Sequence, residues 1–426
     1  MKLKQYQYPV TSIDWGETTN YQFGTLSINY DDLMKELSQK GDLDQVVITD
    51  IELVLPGTNT RVVNIFDVLP AQARLGENSV NYPGVLGPAQ TVGDGDSAAL
   101  ENFAVLAISS IEERDNKLLD MAGIGATLTP YSEFFHVAFR AEPKKEISQA
   151  VYYLALKKIG LRIGSYLART AATSQQCPIT KTYSLETGDY KLPNAAYVFM
   201  IASHQKSETG EPILYGDDVS GLLPTILHPN EVLDGAVIAP FWNLGIDTYT
   251  FINNPVLLEL YDRHGKDINF TGVVICVAHI TREKRARTAT MISNLVHEIL
   301  NSDIAVLTKL GGGIPESDLM AAIELLEENG VSTSSVIWST MGNGTIKDSL
   351  SAHSDAANAL ASAGIFDETV ELPGQEIVVG GTNVDHLISE QSGNYHDAHE
   401  PILVHYRHIC GAISQLGASK VGMIEV

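Results

Sequence analysis

Gly272-Val273-Val274-Ile275-Cys276-Val277 is a short apolar run rich in β-branched residues. A strand buried on both faces reads this way, and such strands belong to parallel sheets covered by helices. Thr281 follows as an N-cap, and Ala289, Ile292, Leu295, Val296 and Ile299 mark the inner face of the helix it opens. A second strand comes at Ile304-Ala305-Val306-Leu307. Gly311-Gly312-Gly313-Ile314-Pro315 then turns the chain into a second helix, with Pro315 in its first turn and Gly330 past its end. Ser335-Val336-Ile337-Trp338 is the third strand. The alternation is a βαβαβ unit, which predicts a doubly wound, Rossmann-like domain over residues 269–426.

Working outward, residues 1–268 are expected to form one domain, β-rich at first and α/β towards its end. Val46-Val47-Ile48 and Ile51-Glu52-Leu53-Val54-Leu55 lead into the turn Pro56-Gly57-Thr58-Asn59, and Val62-Val63-Asn64-Ile65-Phe66 follows. That order predicts a hairpin-like pair. Residues 81–96 are rich in Gly and Pro and read as a structured loop. Val151, Ala155, Ile159, Ile163 and Leu167 recur at i+4 spacing, with Leu154 and Tyr166 widening the stripe, so a helix is expected over 147–171. Ala195-Ala196-Tyr197-Val198-Phe199-Met200-Ile201 reads as a further strand. The class is therefore α/β: a β-rich N-terminal region, an α/β middle part and a doubly wound C-terminal domain.

The bulk numbers exclude several functions. At 426 residues, 44% hydrophobic and 19% charged, the chain is globular and too long for one core. A formal charge of −24 repels phosphate backbones and anionic lipid surfaces, which argues against nucleic acid and membrane partners. Three cysteines without a CxxC pair fit a reducing cytoplasm. The start, Met1-Lys2-Leu3-Lys4-Gln5-Tyr6, has no apolar stretch behind its lysines, so no signal peptide is expected.

Each chemical motif competes with a plainer structural role. The Gly311–313 loop could present N–H groups to an anion, but Glu316 and Asp318 compete at the same helix end, and a backbone turn is preferred. His386, His396, His399, His405 and His408 crowd the C-terminal stretch with Asp397, Glu400 and Cys410. His405 and His408 would face opposite ways on a strand, whereas His396 and His399 could converge in a tight turn. Zinc or iron stays open there, ordinary surface and core histidines are preferred, and no metal is assigned. No Gly-x-Ser-x-Gly supports a hydrolase. Cys276 lies in an apolar strand and Cys410 beside strand-like residues; Cys177, before Pro178, is the most accessible by sequence.

One stretch is denser in unusual residues: Leu223-Pro224-Thr225-Ile226-Leu227-His228-Pro229-Asn230-Glu231-Val232-Leu233-Asp234-Gly235-Ala236, then Asn253-Asn254-Pro255 and Arg263-His264-Gly265-Lys266-Asp267. These are loop-type sequences, where binding residues concentrate. His228, Glu231, Asp234, Asn253, Asn254 and His264 are accordingly candidates for a polar substrate or interface pocket. The alternative is that they cap and brace turns.

These segments resemble the component B precursor subunit of glycine, sarcosine and betaine reductases, a family related to the D-proline reductase proprotein. Gly57-Thr58-Asn59-Thr60-Arg61, Pro83-Gly84-Val85-Leu86-Gly87-Pro88, Thr91-Val92-Gly93 and Gly411-Ala412-Ile413-Ser414-Gln415-Leu416-Gly417 extend the likeness over nearly the whole chain. The resemblance implies self-cleavage at an Asn–Cys type site, the new terminal cysteine becoming a pyruvoyl group whose ketone condenses with a substrate amine. It also implies a partner thiol or selenol subunit that attacks the α-carbon. By the flanking matches the scission point should fall within 237–252, which holds neither Cys nor Ser. A second departure is Asp96-Ser97-Ala98, where the family tends to carry a basic residue and Thr-His.

The expectation is therefore an uncleaved cytoplasmic subunit of an oxidoreductase complex without a cofactor of its own. It would be oligomeric, paired with a thiol or selenol subunit, and would take a small amine or amino-acid-like substrate. Phe241 and Trp242 would fill the space of the carbonyl group. The alternatives are a non-catalytic scaffold or regulatory partner, and a metal-dependent enzyme using the C-terminal histidines.

Overall fold

Strand Thr60–Arg74, fifteen residues long and buried almost throughout, is the spine of an eight-stranded mixed sheet. The computed structural model describes residues 1–426 except 40, 175–177, 187–190, 204–209, 242–244, 280, 340–349, 389–395, 421–423 and 426. Trp242 and Cys177 lie outside the described residues. Thr60–Arg74 pairs antiparallel with Gly95–Ser109, whose first half also pairs parallel with Lys2–Pro9 and whose second half pairs parallel with Phe135–Pro143. Helix Gln149–Ala172, close to the expected span, starts on Ser148, whose hydroxyl accepts from the Val151 N–H. Its Leu156, Ile159, Ile163 and Leu167 pack with Leu69, Phe103 and Phe139 of the sheet.

The expected hairpin is corrected. Val46–Val54 pairs with Phe135–Pro143, not with Thr60–Arg74. The turn between them is tied elsewhere, Gly57 N–H donating to the Met121 carbonyl at 3.0 Å, so each strand finds a different partner.

The ladder between Thr60–Arg74 and Gly95–Ser109 is interrupted. Its register steps from Pro70↔Ala104 to Gln72↔Ala99, advancing two residues on one strand and five on the other. Pro70 has no N–H to give, and Asn102 in the surplus stretch has φ 57°. The ladder between these two strands is broken at this bulge, while residues 95–101 stay paired with Lys2–Pro9.

A second sheet has seven strands in the order Thr225–Leu227, Asn269–Ala278, Asn194–Ser203, Ile304–Thr308, Ser332–Ser339, Leu360–Ile365, Ile424–Glu425. The inner five are parallel and the two edges antiparallel. The three expected strands are present, and Asn194–Ser203, well ahead of residue 269, lies between two of them. Helices Arg282–Asn294 and Ile314–Glu328 cover one face through Ala289, Ile292, Leu319 and Ile323. Short helices Pro229–Leu233, Thr248–Ile252 and Pro255–Arg263 cover the other through Val232, Phe251 and Leu257. Gly311 and Gly313 have φ of 84° and 76°, which explains these two glycines of the turn by backbone alone. Ile299 departs from the expected inner face and is 66% exposed. The helix ends in a π turn, Leu295–Ile299, whose wider winding rotates the stripe outwards.

The C-terminal stretch returns to the first sheet. Ile377–Val379 pairs parallel with residues 60–62. Arg61, fully buried, grips Asp120 through two hydrogen bonds of 2.6 and 2.8 Å and donates to the carbonyls of Pro373, Ala398 and Glu400. Among the described residues no helix is long and apolar enough to cross a membrane.

Candidate functional site

Asp247 begins a five-residue helix, Thr248–Ile252, inside the interval 237–252. Its Oδ1 accepts from the Thr250 N–H and from the Tyr131 hydroxyl, both at 2.7 Å. Burial pushes the Asp247 carboxyl up to about 6, the bonds from Tyr131 and Thr250 pulling the other way. Thr248 donates its N–H to Asp67 Oδ1 at 2.9 Å and its hydroxyl to Asp67 Oδ2 at 2.6 Å, and that hydroxyl accepts from Lys157 Nζ at 3.1 Å. Lys157 in turn bonds Asp67 directly, and neither side chain has any exposure.

A cavity separates this cluster from the C-terminal stretch, lined by Asp67, Lys117, Gly245, Asp247, Cys410 and Gly411. Burial lowers the Lys117 amine from its usual range. The same cause pushes the Cys410 thiol well above its usual range, which keeps it protonated and a poor nucleophile. A second cavity meets the same helix through Tyr249 and Asn253 and is otherwise lined by Gln5, Gln7, Gln72 and Glu101 with apolar neighbours. It lies at the bulge.

The six residues singled out by sequence take capping and bracing positions, and of them only Asn253 lines either cavity. His228 caps Pro229–Leu233: its Nδ1 accepts from the Asn230 N–H at 3.2 Å, while Glu231 Oε2 accepts from the His228 N–H at 2.8 Å. Burial lowers His228 to about 4. Glu231 also accepts from the Tyr215 hydroxyl at 2.7 Å. Asp234 Oδ2 accepts from the Gly93 N–H at 2.7 Å and meets Arg74 at 3.0 Å; burial still pushes its carboxyl up to about 6. Gly93 is required there, since a Cβ would stand 2.8 Å from the Glu231 nitrogen at φ 89°. Asn254, fully buried, caps Pro255–Arg263 by accepting from Val256 and Leu257 at 3.1 and 3.2 Å and donates to the Tyr197 hydroxyl at 3.2 Å. His264 Nδ1 accepts from the Phe270 N–H at 3.0 Å at the other end of that helix. Asn253 reaches the bulge cavity.

Sequence reading missed Asp67, Lys157, Tyr131, Gln5 and Gln7. The available signal was polarity out of place: Asp67 interrupts an apolar strand and Lys157 an apolar helix stripe. Phe241 packs against Phe66 and Tyr153, ring centroids 6.3 and 6.0 Å away. The His405 and His408 rings come within 6.2 Å, against the expectation of opposite faces, because the strand ends at His405 and a 3₁₀ turn brings His408 round. His399 Nδ1 and Asp397 Oδ1 are 2.7 Å apart. Among the described residues no three His, Cys, Asp or Glu side chains gather as metal ligands would.

Comparison with known proteins adds the family. The model of the glycine/sarcosine/betaine reductase component B subunits matches residues 1–424. The chain is 28% identical to the "Glycine reductase complex component B subunits alpha and beta" of Acetoanaerobium sticklandii, over 99% of both chains. It is 27% identical to the sarcosine reductase complex component B subunit alpha of Peptoclostridium acidaminophilum, over 89% of both chains. It is 28% identical to that organism's betaine reductase complex component B subunit alpha, over 89% of this chain and 88% of the relative. No solved structure matches. With a family model spanning the chain almost end to end, this protein belongs to the glycine/sarcosine/betaine reductase component B subunits.

Proposed function

We propose that this chain is an uncleaved, pyruvoyl-free member of the family that shapes the substrate site of a thiol- or selenol-dependent reductase complex. One observation carries this: residues 237–252 contain neither Cys nor Ser. The residues present do not fit a pyruvoyl group. Thr248 is the hydroxyl set among charged groups, and its extra methyl rules out that three-carbon end. Cys410, the thiol beside the interval, is buried and protonated. Loss of the ketone does not forbid reductive C–N cleavage, since a quaternary ammonium forms no imine in any case.

In this function the chain binds and orients an amine or amino-acid-like molecule. The partner's thiolate or selenolate attacks the α-carbon, and the amine leaves with the electrons of the broken C–N bond. Asn253 reaches a cavity directly, while His228, Glu231, Asp234, Asn254 and His264 frame the pocket and its interface. The doubly wound character of the C-terminal unit belongs to the same proposal: the parallel order with helices on both faces supports it. We place the whole in the cytoplasm as part of an oligomer.

Co-purification from the native source, with mass analysis of what accompanies the chain, tests the proposal. A Cys- or Sec-bearing partner whose mixture with this chain cleaves an amine is expected. Recovery without such a partner, and no cleavage on mixing, would favour a scaffold.

A further inference from the structure

Phe23 and Gly24 form the two-residue loop of a hairpin, Gln22 pairing with Thr25 across it. Both have positive φ, 50° and 86°, as a tight turn between twisted strands demands. Gly24 meets that demand freely, and Asn or Gly is what suits the first position. A phenylalanine held there costs about 1–2 kcal/mol of backbone strain. Its ring is 78% exposed, so burial within the chain recovers little of that cost. Trp15, opposite Ile28 at the far end of the same three-stranded sheet, stands edge-on to Tyr30 with ring centroids 6.1 Å apart. These two are 44% and 46% exposed. Beneath them Ile13, Tyr21, Leu26 and Ile28 are buried in the core of the first sheet, which makes a firm base. Residues 12–34 carry four carboxylates and no Lys, Arg or His.

The complementary chemistry stands on Arg282–Asn294. Its start, Arg282-Glu283-Lys284-Arg285-Ala286-Arg287, gathers four of the chain's 28 Lys and Arg residues, on a molecule of net charge −24. They crowd the positive end of the helix, where cations are disfavoured. Arg285 is neutralised by Asp318 at 2.5 Å, whereas Arg282, Lys284 and Arg287 are exposed and bond to no side chain among the described residues. Each patch carries a cost in the lone chain, and the two fit one another. We infer that residues 12–34 of one copy dock on Arg282–Asn294 of a second copy, with Phe23 as the anchor and the arginines over Trp15 and Tyr30. Guanidinium stacks on an aromatic ring while pairing with a carboxylate beside it. Ala286 and Thr290, one turn apart and both exposed, leave small side chains beside the arginines for the Phe23 ring. Aromatic residues and arginine are the types that concentrate at interface centres. The carboxylates of residues 12–34 repel an anionic lipid surface, the other place where exposed aromatic rings gather. With both patches of each copy engaged, the contact closes on itself as a two-fold dimer. The inference gives a surface to the oligomer proposed above and rests on no other part of that function.

Sedimentation equilibrium of the purified full chain tests it, and the parent is expected to self-associate. Phe23→Asn, which suits the positive φ, should weaken association at least about tenfold while the melting temperature stays level or rises. A chain carrying Glu17→Lys with Asp31→Lys should associate as poorly, and so should one carrying Arg282→Glu with Arg287→Glu. All four of these positions are exposed, so folding is spared. Mixing the two charge-reversed chains should restore association, because each then meets a patch of opposite sign. A parent that stays monomeric throughout the concentration range would overturn both this surface and the oligomer. Association that ignores Phe23→Asn or the charge reversals, or that fails to return on mixing, would overturn the surface alone. Neither readout needs turnover, so the reductase function stands or falls separately.

Discussion

Lys157 and Asp67 form an ion pair wholly shielded from solvent, and Thr248 closes it by giving its hydroxyl proton to one partner and taking a bond from the other. The helix Gln149–Ala172, the strand Thr60–Arg74 and the interval 237–252 are thereby joined at one point. Removing a single partner strands a buried charge. Lys157→Met should lower the unfolding free energy by about 3–5 kcal/mol in urea denaturation. Adding Asp67→Asn, which still accepts from the Thr248 N–H, should recover at least half of that loss. A cost below about 1 kcal/mol for the single change would contradict the burial described.

Arg61 makes a similar junction between the first sheet and the C-terminal stretch. Lysine cannot reproduce its two-pronged grip on Asp120 together with three carbonyl bonds. Arg61→Lys should cost about 2–4 kcal/mol. Limited proteolysis should then cut first within residues 373–400; an unchanged digestion pattern would speak against the latch.

Asn254 offers a test of cap against substrate contact. Asn254→Ala should cost about 1–2 kcal/mol by freeing the first N–H groups of Pro255–Arg263. Asn254→Ser should restore most of it, since a hydroxyl caps as well. If serine is as damaging as alanine in the same urea titration, the cap is not what matters at this position.

Acid should unfold the protein through its buried histidines. His136 has no exposure, its Nε2 donates to the Tyr131 carbonyl at 2.8 Å, and burial lowers it to about 4. Burial lowers His408 to about 3, with Lys117 and Arg407 adding to the effect. A neutral histidine in the fold takes up its proton more readily once unfolded. Stability from these two is complete above about 6.5 and falls as pH drops towards 4, by on the order of 3 kcal/mol for His136. Asp234 and Asp247, raised to about 6, act oppositely: their folded forms hold protons that the unfolded chain has lost, so their contribution is lost as pH rises from about 4 through 6. His408→Gln should therefore flatten the acid limb of stability against pH, measured by urea midpoints from pH 4 to 7. A limb as steep as the parent's would exclude His408 as a source.

How much of this was legible follows physical lines. Strands 272–277, 304–307 and 335–338 and the helix near 147–171 were readable because periodicity and caps are local. The pairing of Val46–Val54 with Phe135–Pro143 was not, since a turn sequence says only that the chain bends. Ile299 was misplaced because a π turn leaves no mark in the apolar spacing. In the candidate site, His228 and Asn254 were legible as special residues through their Pro-flanked contexts. Lys157, Asp67 and Thr248 are far apart in sequence and became a cluster only once three elements were packed together.

The central claim is that no ketone is made by this chain because no cysteine or serine stands within 237–252. Intact mass measurement of the denatured protein, purified from its native source, tests it most directly. One species at 46.2 kDa is expected. Two fragments, the C-terminal one beginning with an α-keto acyl end, would contradict it.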